Sequence, residues 1–128
     1  TNIDVVDADG YYIGGAIAPG LRISMDALVA RAARIASIPL DVPEHAIGRT
    51  TTEAVQSGAI LGTAAMVEGL VARIRRELEA PEAWVIATGG LAGLVAHASD
   101  AFDVVDQQLT LKGIAEIARR MGMFESAE

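Results

Sequence analysis

The chain has 128 residues, 52% hydrophobic and 21% charged, a balance that suits one ordinary domain with a buried core and excludes a disordered tail. Its formal net charge of −7 excludes nonspecific attraction to nucleic acid or anionic membranes, and no apolar run reaches the roughly 18 residues of a membrane span. Absence of Cys removes disulfides and thiolate metal sites, and with no secretory n-region or h-region the expected location is cytoplasmic.

Ile3-Asp4-Val5-Val6-Asp7 and Tyr11-Tyr12-Ile13 flank an Ala8-Asp9-Gly10 turn, which predicts a hairpin. Gly14-Gly15-Ala16-Ile17-Ala18-Pro19-Gly20 then reads as a glycine stretch open to close backbone approach, closed by a Pro-Gly turn. A helix is predicted next, with Ser24 as N-cap, Asp26 in its first turn, and Met25, Leu28, Val29, Ala32 and Ala36 on one face, away from Arg31 and Arg34. Pro39 ends it, and the segment from Ile38 through Ile47 is an irregular connection to Gly48-Arg49-Thr50-Thr51-Thr52-Glu53.

A longer helix is predicted from about Thr52 to Glu79. Its first half is the small-residue series Ser57, Gly58, Ala59, Gly62, Thr63, Ala64 and Ala65, which implies close packing, with Gly58, Gly62 and Ala65 on a candidate dimer face. Its second half has an apolar stripe of Val67, Leu70, Val71, Ile74 and Leu78 opposite a solvated face with Arg73, Arg75 and Arg76. Ala83-Trp84-Val85-Ile86-Ala87 reads as a strand, Thr88-Gly89-Gly90 as a turn and Leu91 to Ser99 as a helix. A strand at Phe102–Val105 and a helix from about Thr110 to Met121 complete a mixed α/β layer in the order β-β-α-α-β-α-β-α.

Little generic chemistry stands out. No carboxylates near His45 or His97 give the close helical spacing of a metal site, and both read as surface or loop residues; Ser57 lacks a nucleophile elbow; Asp4, Asp7 and Asp9 fit turn chemistry better than a calcium loop. Gly48-Arg49-Thr50-Thr51-Thr52 keeps two readings open: donors for an anionic ligand, or a helix N-cap with Glu53 in the first turn.

Taken jointly the motifs resemble the carboxyl-terminal part of the type III pantothenate kinases. Gly14-Gly15-Ala16-Ile17-Ala18-Pro19-Gly20 resembles the family's Gly-Gly-x-Ile-x-Pro-Gly, and Gly48-Arg49-Thr50-Thr51 through Ala54, Gln56, Ser57 and Gly58 resembles its Gly-Lys/Arg-Asn-Thr-x-x-Ala-x-Gln-Ser-Gly. Thr88-Gly89-Gly90-Leu91 is similar to its Thr-Gly-Gly adenosine motif, and Asp106, Leu109, Thr110, Leu111, Lys112 and Gly113 to its Asp-Pro-x-Leu-Thr-Leu-x-Gly ending.

The resemblance implies an actin-like, ribonuclease-H-like domain of the sugar kinase, Hsp70 and actin superfamily. It implies ATP-dependent phosphorylation of pantothenate, the first step of coenzyme A synthesis, with Mg²⁺ and a monovalent cation, K⁺ or NH₄⁺. Thr51 matches the threonine that reaches pantothenate across a homodimer interface, Gly14 and Gly15 lie near the active cleft, and Thr88, Gly89 and Gly90 match the ATP loop. Thr50 stands where the family has Asn, which implies altered positioning with binding retained. The family's amino-terminal half, with two phosphate motifs and the catalytic Asp base, has no counterpart in this sequence, so the expectation is a second domain, inactive alone, that needs that half. The alternative is a noncatalytic regulatory module of the same fold acting through protein partners.

Overall fold

A computed structural model describes residues 1–31 and 38–123. It divides the chain into two compact units, Thr1–Ile60 and Leu61–Glu128, where the chain length alone suggests one.

The first unit opens with the predicted hairpin. Strands β1 (Asn2–Val6) and β2 (Tyr12–Ile17) pair antiparallel from Asn2↔Ile17 to Val5↔Gly14. Asp7 builds the turn: its Oδ1 accepts from the backbone amides of Asp9 at 3.0 Å and Tyr11 at 2.8 Å. The register then shifts between Val5 and Val6, so that Val6 faces Tyr12 and Ile13 is left over as a bulge. Gly14 and Gly15 therefore belong to β2, not to a loop after it. Gly14 has a φ of 130°, and a Cβ on Gly15 would strike the carbonyl of Ile3, so the paired backbone itself demands both glycines.

Helix α1 (Leu21–Arg31) starts directly after Pro19-Gly20. The Ser24 amide donates to the Gly20 carbonyl at 2.9 Å, which puts Ser24 inside the first turn instead of at the N-cap and moves Asp26 beyond that turn. Leu21 and Met25, four apart, form the buried face, while Leu28 is 42% exposed. The expected positions Ala32, Arg34 and Ala36 lie outside the described residues.

The long helix expected from about Thr52 to Glu79 is α2 (Thr51–Gln56), a π-helical turn (Ser57–Leu61) and α3 (Gly62–Glu77). The unit boundary falls within this run. By length and composition it is apolar enough to cross a membrane, although Glu53 and Glu68 interrupt its apolar sequence. Its buried residues are Gln56 and Ile60 in the first unit and Ala64, Val67 and Val71 in the second, each set spaced three or four positions apart as on one helical face. Leu70, Ile74 and Leu78 flank the second set half-buried, as expected. Of the small residues Ala64 is buried, but among the described residues close packing is not found on the face of Gly58, Gly62 and Ala65: nothing lies within 4 Å of a Cβ placed on Gly58 or Gly62, and Ala65 is exposed.

In the second unit the strands are shorter than expected. Strand β3 (Ile86–Ala87) pairs parallel with β4 (Val104–Val105), and helix α4 (Ala92–Ala96) packs on both strands and on α3. Trp84 is 75% exposed and outside the ladder. Arg75, expected on a solvated face, instead clamps the approach to β3. Its guanidinium donates to the Ala83 carbonyl at 3.0 and 2.6 Å and reaches Asp103 at 3.4 Å, whose Oδ2 accepts from the Val85 amide at 2.7 Å. Helix α5 (Leu109–Arg120) is the last element among the described residues. Elements thus follow the expected order, but among the described residues the strands form two two-stranded sheets instead of one mixed sheet.

Candidate functional site

In the second unit, parallel pairing brings two of the motifs to one edge. Strands β3 and β4 run in the same direction, so the residues that follow them, Thr88-Gly89-Gly90 and Asp106, leave the ladder at its carboxyl end. This is where open parallel sheets bind ligands. Thr88, Gly89 and Gly90 are exposed, Gly89 has a φ of 103°, and no atom lies within 4 Å of a Cβ placed on either glycine. The turn closes through the Ala92 amide, which donates to the Gly89 carbonyl at 3.1 Å. Helix α4 beyond it has only five residues, shorter than the Leu91–Ser99 span expected, and its start has no side-chain cap.

Asp106 joins the two strand ends. Its amide donates to the Ala87 carbonyl at 2.8 Å, immediately before Thr88. Its carboxylate accepts from the Gln108 amide at 2.9 Å and from Lys112 Nζ at 2.7 Å. The Lys112 ammonium first, and then the Gln108 amide, hold the Asp106 carboxyl below its ordinary pKa. Asp-x-Gln at the head of an amphipathic helix is an Asx-turn signal. Inspection of the motifs alone leaves that role unseen, because Lys112 becomes a partner only once α5 has formed.

In the first unit, the stretch around Thr51 is organised as a helix start. Thr50 is the N-cap of α2: its Oγ1 accepts from the Glu53 amide at 3.2 Å, and the Glu53 carboxylate accepts from the Arg49 amide at 2.7 Å. The capping reading of this segment therefore holds. Thr takes the cap as Asn would, which gives a structural reason for Thr50 to stand there. Gly48 lies beneath this turn, where a Cβ would collide with the backbone of Glu53 and Ala54. Thr51 itself, one residue past the cap, is exposed. Among the described residues no hydrogen bond or ion pair joins Thr51 to Gly14 or Gly15.

Gln56 and Ser57 have fastening roles that the sequence does not announce. The buried Gln56 amide donates to the Pro39 carbonyl at 2.8 Å, and the Ser57 hydroxyl donates to that of Ala46 at 2.6 Å. Both tie the irregular segment 38–50 to the helical run, and the second sits at the start of the π-turn.

Several carboxylates are engaged structurally: Asp7 in its turn, Glu53 in the cap, Asp103 beside Arg75, Asp106 beside Lys112, and Glu116 between Arg119 and Arg120. His97 Nδ1 lies 2.6 Å from the Gly93 carbonyl, a bond in which the ring N–H donates, and His45 is exposed beside Glu44. No group of three or more His, Asp or Glu among the described residues is arranged to hold a metal ion. A cavity of about 720 Å³, lined by Val71, Arg75, Arg76, Glu79 and Asp100, contains none of the motif residues.

The architecture is a mixed α/β one. A Campylobacter jejuni protein described as a Baf family transcriptional activator has the same fold, at a TM-score of 0.66 and 18% identity, over 96% of this chain and 54% of its own. The profile of the family "Type III pantothenate kinase" matches residues 1–73, and the chain belongs to that family. Type III pantothenate kinases from Thermomicrobium roseum and Frankia alni are 53% and 52% identical to it over 121 and 114 residues, 94% and 89% of this chain. That from Thermus thermophilus is 48% identical over 95% of the chain. The chain spans about half the length of these relatives, between 45% and 48%.

Proposed function

We propose that this chain is the second half of an ATP-dependent pantothenate kinase acting in the cytoplasm at the entry to coenzyme A synthesis, with an actin-like fold completed by an amino-terminal half. The observation that carries the reading is the delivery of Thr88-Gly89-Gly90 to the carboxyl edge of a parallel strand pair with both glycine faces open. In this reading the turn accepts the adenosine side of ATP, because a backbone without side chains lets a flat ring approach closely. Gly14 and Gly15, which allow the close pairing of the hairpin, serve the substrate side, and Thr51, left free for a ligand by the cap on Thr50, contacts pantothenate.

Phosphoryl transfer rests on positioning and on neutralising charge at the phosphates. This chain contributes positioning. The phosphate loops and the base come from the amino-terminal half, and Mg²⁺ with a monovalent cation would be held there and by the phosphates themselves. A homodimer is the proposed assembly, with the open face at Gly62 and Ala65 turned to a second copy.

Three measurements test this. Calorimetric titration of ATP and pantothenate should give binding that a Gly90→Leu change abolishes for ATP alone; turnover should appear only when a family amino-terminal half is added, and fall on Thr51→Ala. If neither ligand binds even with that half present, the kinase reading fails and a module acting through protein partners takes its place. Sedimentation should show a Gly62→Leu variant with reduced mass, and an unchanged dimer would remove that face from the assembly.

A further inference from the structure

We propose that Asp106 is a positioning residue for nucleotide binding: its carboxylate holds the start of α5 against the end of β3, and so sets the geometry of the Thr88–Gly90 turn. The inference rests on the reading of that turn as the adenosine loop. Four bonds carry it. The Asp106 amide is anchored on the Ala87 carbonyl at 2.8 Å, the last peptide group before Thr88, and the Asp106 carbonyl accepts from the Leu109 amide at 3.3 Å. Oδ1 caps the Gln108 amide at 2.9 Å, and Oδ2 pairs with Lys112 Nζ at 2.7 Å across the first turn of the helix.

No hydrogen bond or ion pair among the described residues ties Thr88 or Gly90 to a side chain, and open space surrounds both glycines. The turn is therefore held through its ends. One end is the Gly89 carbonyl, bonded to the Ala92 amide, and the other is Ala87, bonded to Asp106. Of the two carboxylate bonds, the cap is the one that fixes the backbone next to Ala87, since the Asp106 side chain is 21% exposed whereas that of Lys112 is 62% exposed and its pairing is screened by water. The carboxylate therefore acts mainly through hydrogen-bond geometry and only secondarily through charge.

That division sets the test. ATP is titrated into the chain and its variants by calorimetry, with melting curves alongside and the amide resonances of Gly89 and Gly90 followed by NMR. Asp106→Ala should bind ATP about tenfold more weakly, the cost of one lost cap bond transmitted to the loop. Asp106→Asn keeps an acceptor at the cap and should stay within about threefold of the parent. Asp106→Glu keeps the charge but is one methylene too long for the cap; it should bind like the alanine variant and serves in its place if that one does not fold. Lys112→Met removes only the secondary, water-screened bond and should weaken ATP binding by less than about twofold.

A purely structural role predicts lowered melting with unaltered ATP affinity, and that result overturns the inference. So does a loss in Lys112→Met equal to that in Asp106→Ala, which would make the ammonium the nucleotide contact. If the parent chain binds no ATP, alone or with a family amino-terminal half, the adenosine reading itself falls and this inference with it.

Discussion

Two motif glycines of the first unit are crowded by the protein's own backbone, whereas the glycines of the second stand in open space. Gly15 meets the carbonyl of Ile3 and Gly48 meets the first turn of α2, while Gly89 and Gly90 meet nothing within 4 Å. Motif glycines can thus be required for two different reasons. Gly15 and Gly48 let two stretches of main chain pack together, so the fold needs them; Gly89 and Gly90 keep a main-chain surface bare, so a ligand would need them.

The sharpest way to break that contrast is to add a methyl group on each side of it. Gly15→Ala and Gly48→Ala should each cost about 4 kcal/mol or prevent folding, because the obstacle is backbone and cannot swing aside. Urea denaturation gives the answer, and two variants as stable as the parent would show that the crowding is not real. Gly89→Ala should cost less, about 1.5 kcal/mol, since only the φ of 103° is penalised. Gly90→Ala should change stability by less than about 0.5 kcal/mol, so that any loss of ATP affinity there reports on the ligand surface alone.

The threonine pair refines the comparison within one segment. Thr50→Ala should destabilise by about 1 kcal/mol through loss of the cap on α2, and Thr51→Ala should leave the melting temperature unchanged while raising the KM for pantothenate in the reconstituted enzyme. Equal melting losses in the two variants would mean that Thr51 belongs to the fold as well.

The smallest expected effect lies on the surface of α5. Arg119 first, and then Arg120, hold the Glu116 carboxyl well below its ordinary value, at about 2. Because the folded value is depressed, the contribution of these pairs is complete above the ordinary carboxylate range of about 4.3 and is lost as pH falls through about 2. An NMR titration of the Glu116 carboxyl checks the midpoint, and Arg119→Ala should move it upward toward the ordinary value.

Much of the local structure was readable from residue order. The Asp-Gly turn, the stripe through Val67 and Val71, and the amphipathic helix near the end follow from periodicities that arise within a single element. The boundaries that moved were those decided by contacts across elements. Gly14-Gly15 reads as a loop by propensity but is a strand because β1 supplies a ladder with a bulge. Ser24 reads as an N-cap, yet Pro19-Gly20 lets the helix start earlier. The helix after Thr88 is cut to Ala92–Ala96, and Trp84 is left outside a ladder that only Ile86 and Ala87 join.

Of the candidate site, the residues were legible and their employment was not. Thr50 and Thr51 are chemically alike in the sequence, and only the bond from the Glu53 amide to Thr50 separates a cap from a free hydroxyl. Arg75 looks like a member of a solvated basic cluster until the Ala83 carbonyl and Asp103 come within its reach.

The sequence by itself determined family membership, the order of elements and the identity of the glycine and threonine motifs, because these are properties of neighbouring residues. Tertiary structure alone decided which glycines are crowded and which are open, and that Asp106 links the turn after β3 to the start of α5. Such facts depend on distances between segments far apart in the chain, and those distances exist only after the strands have paired.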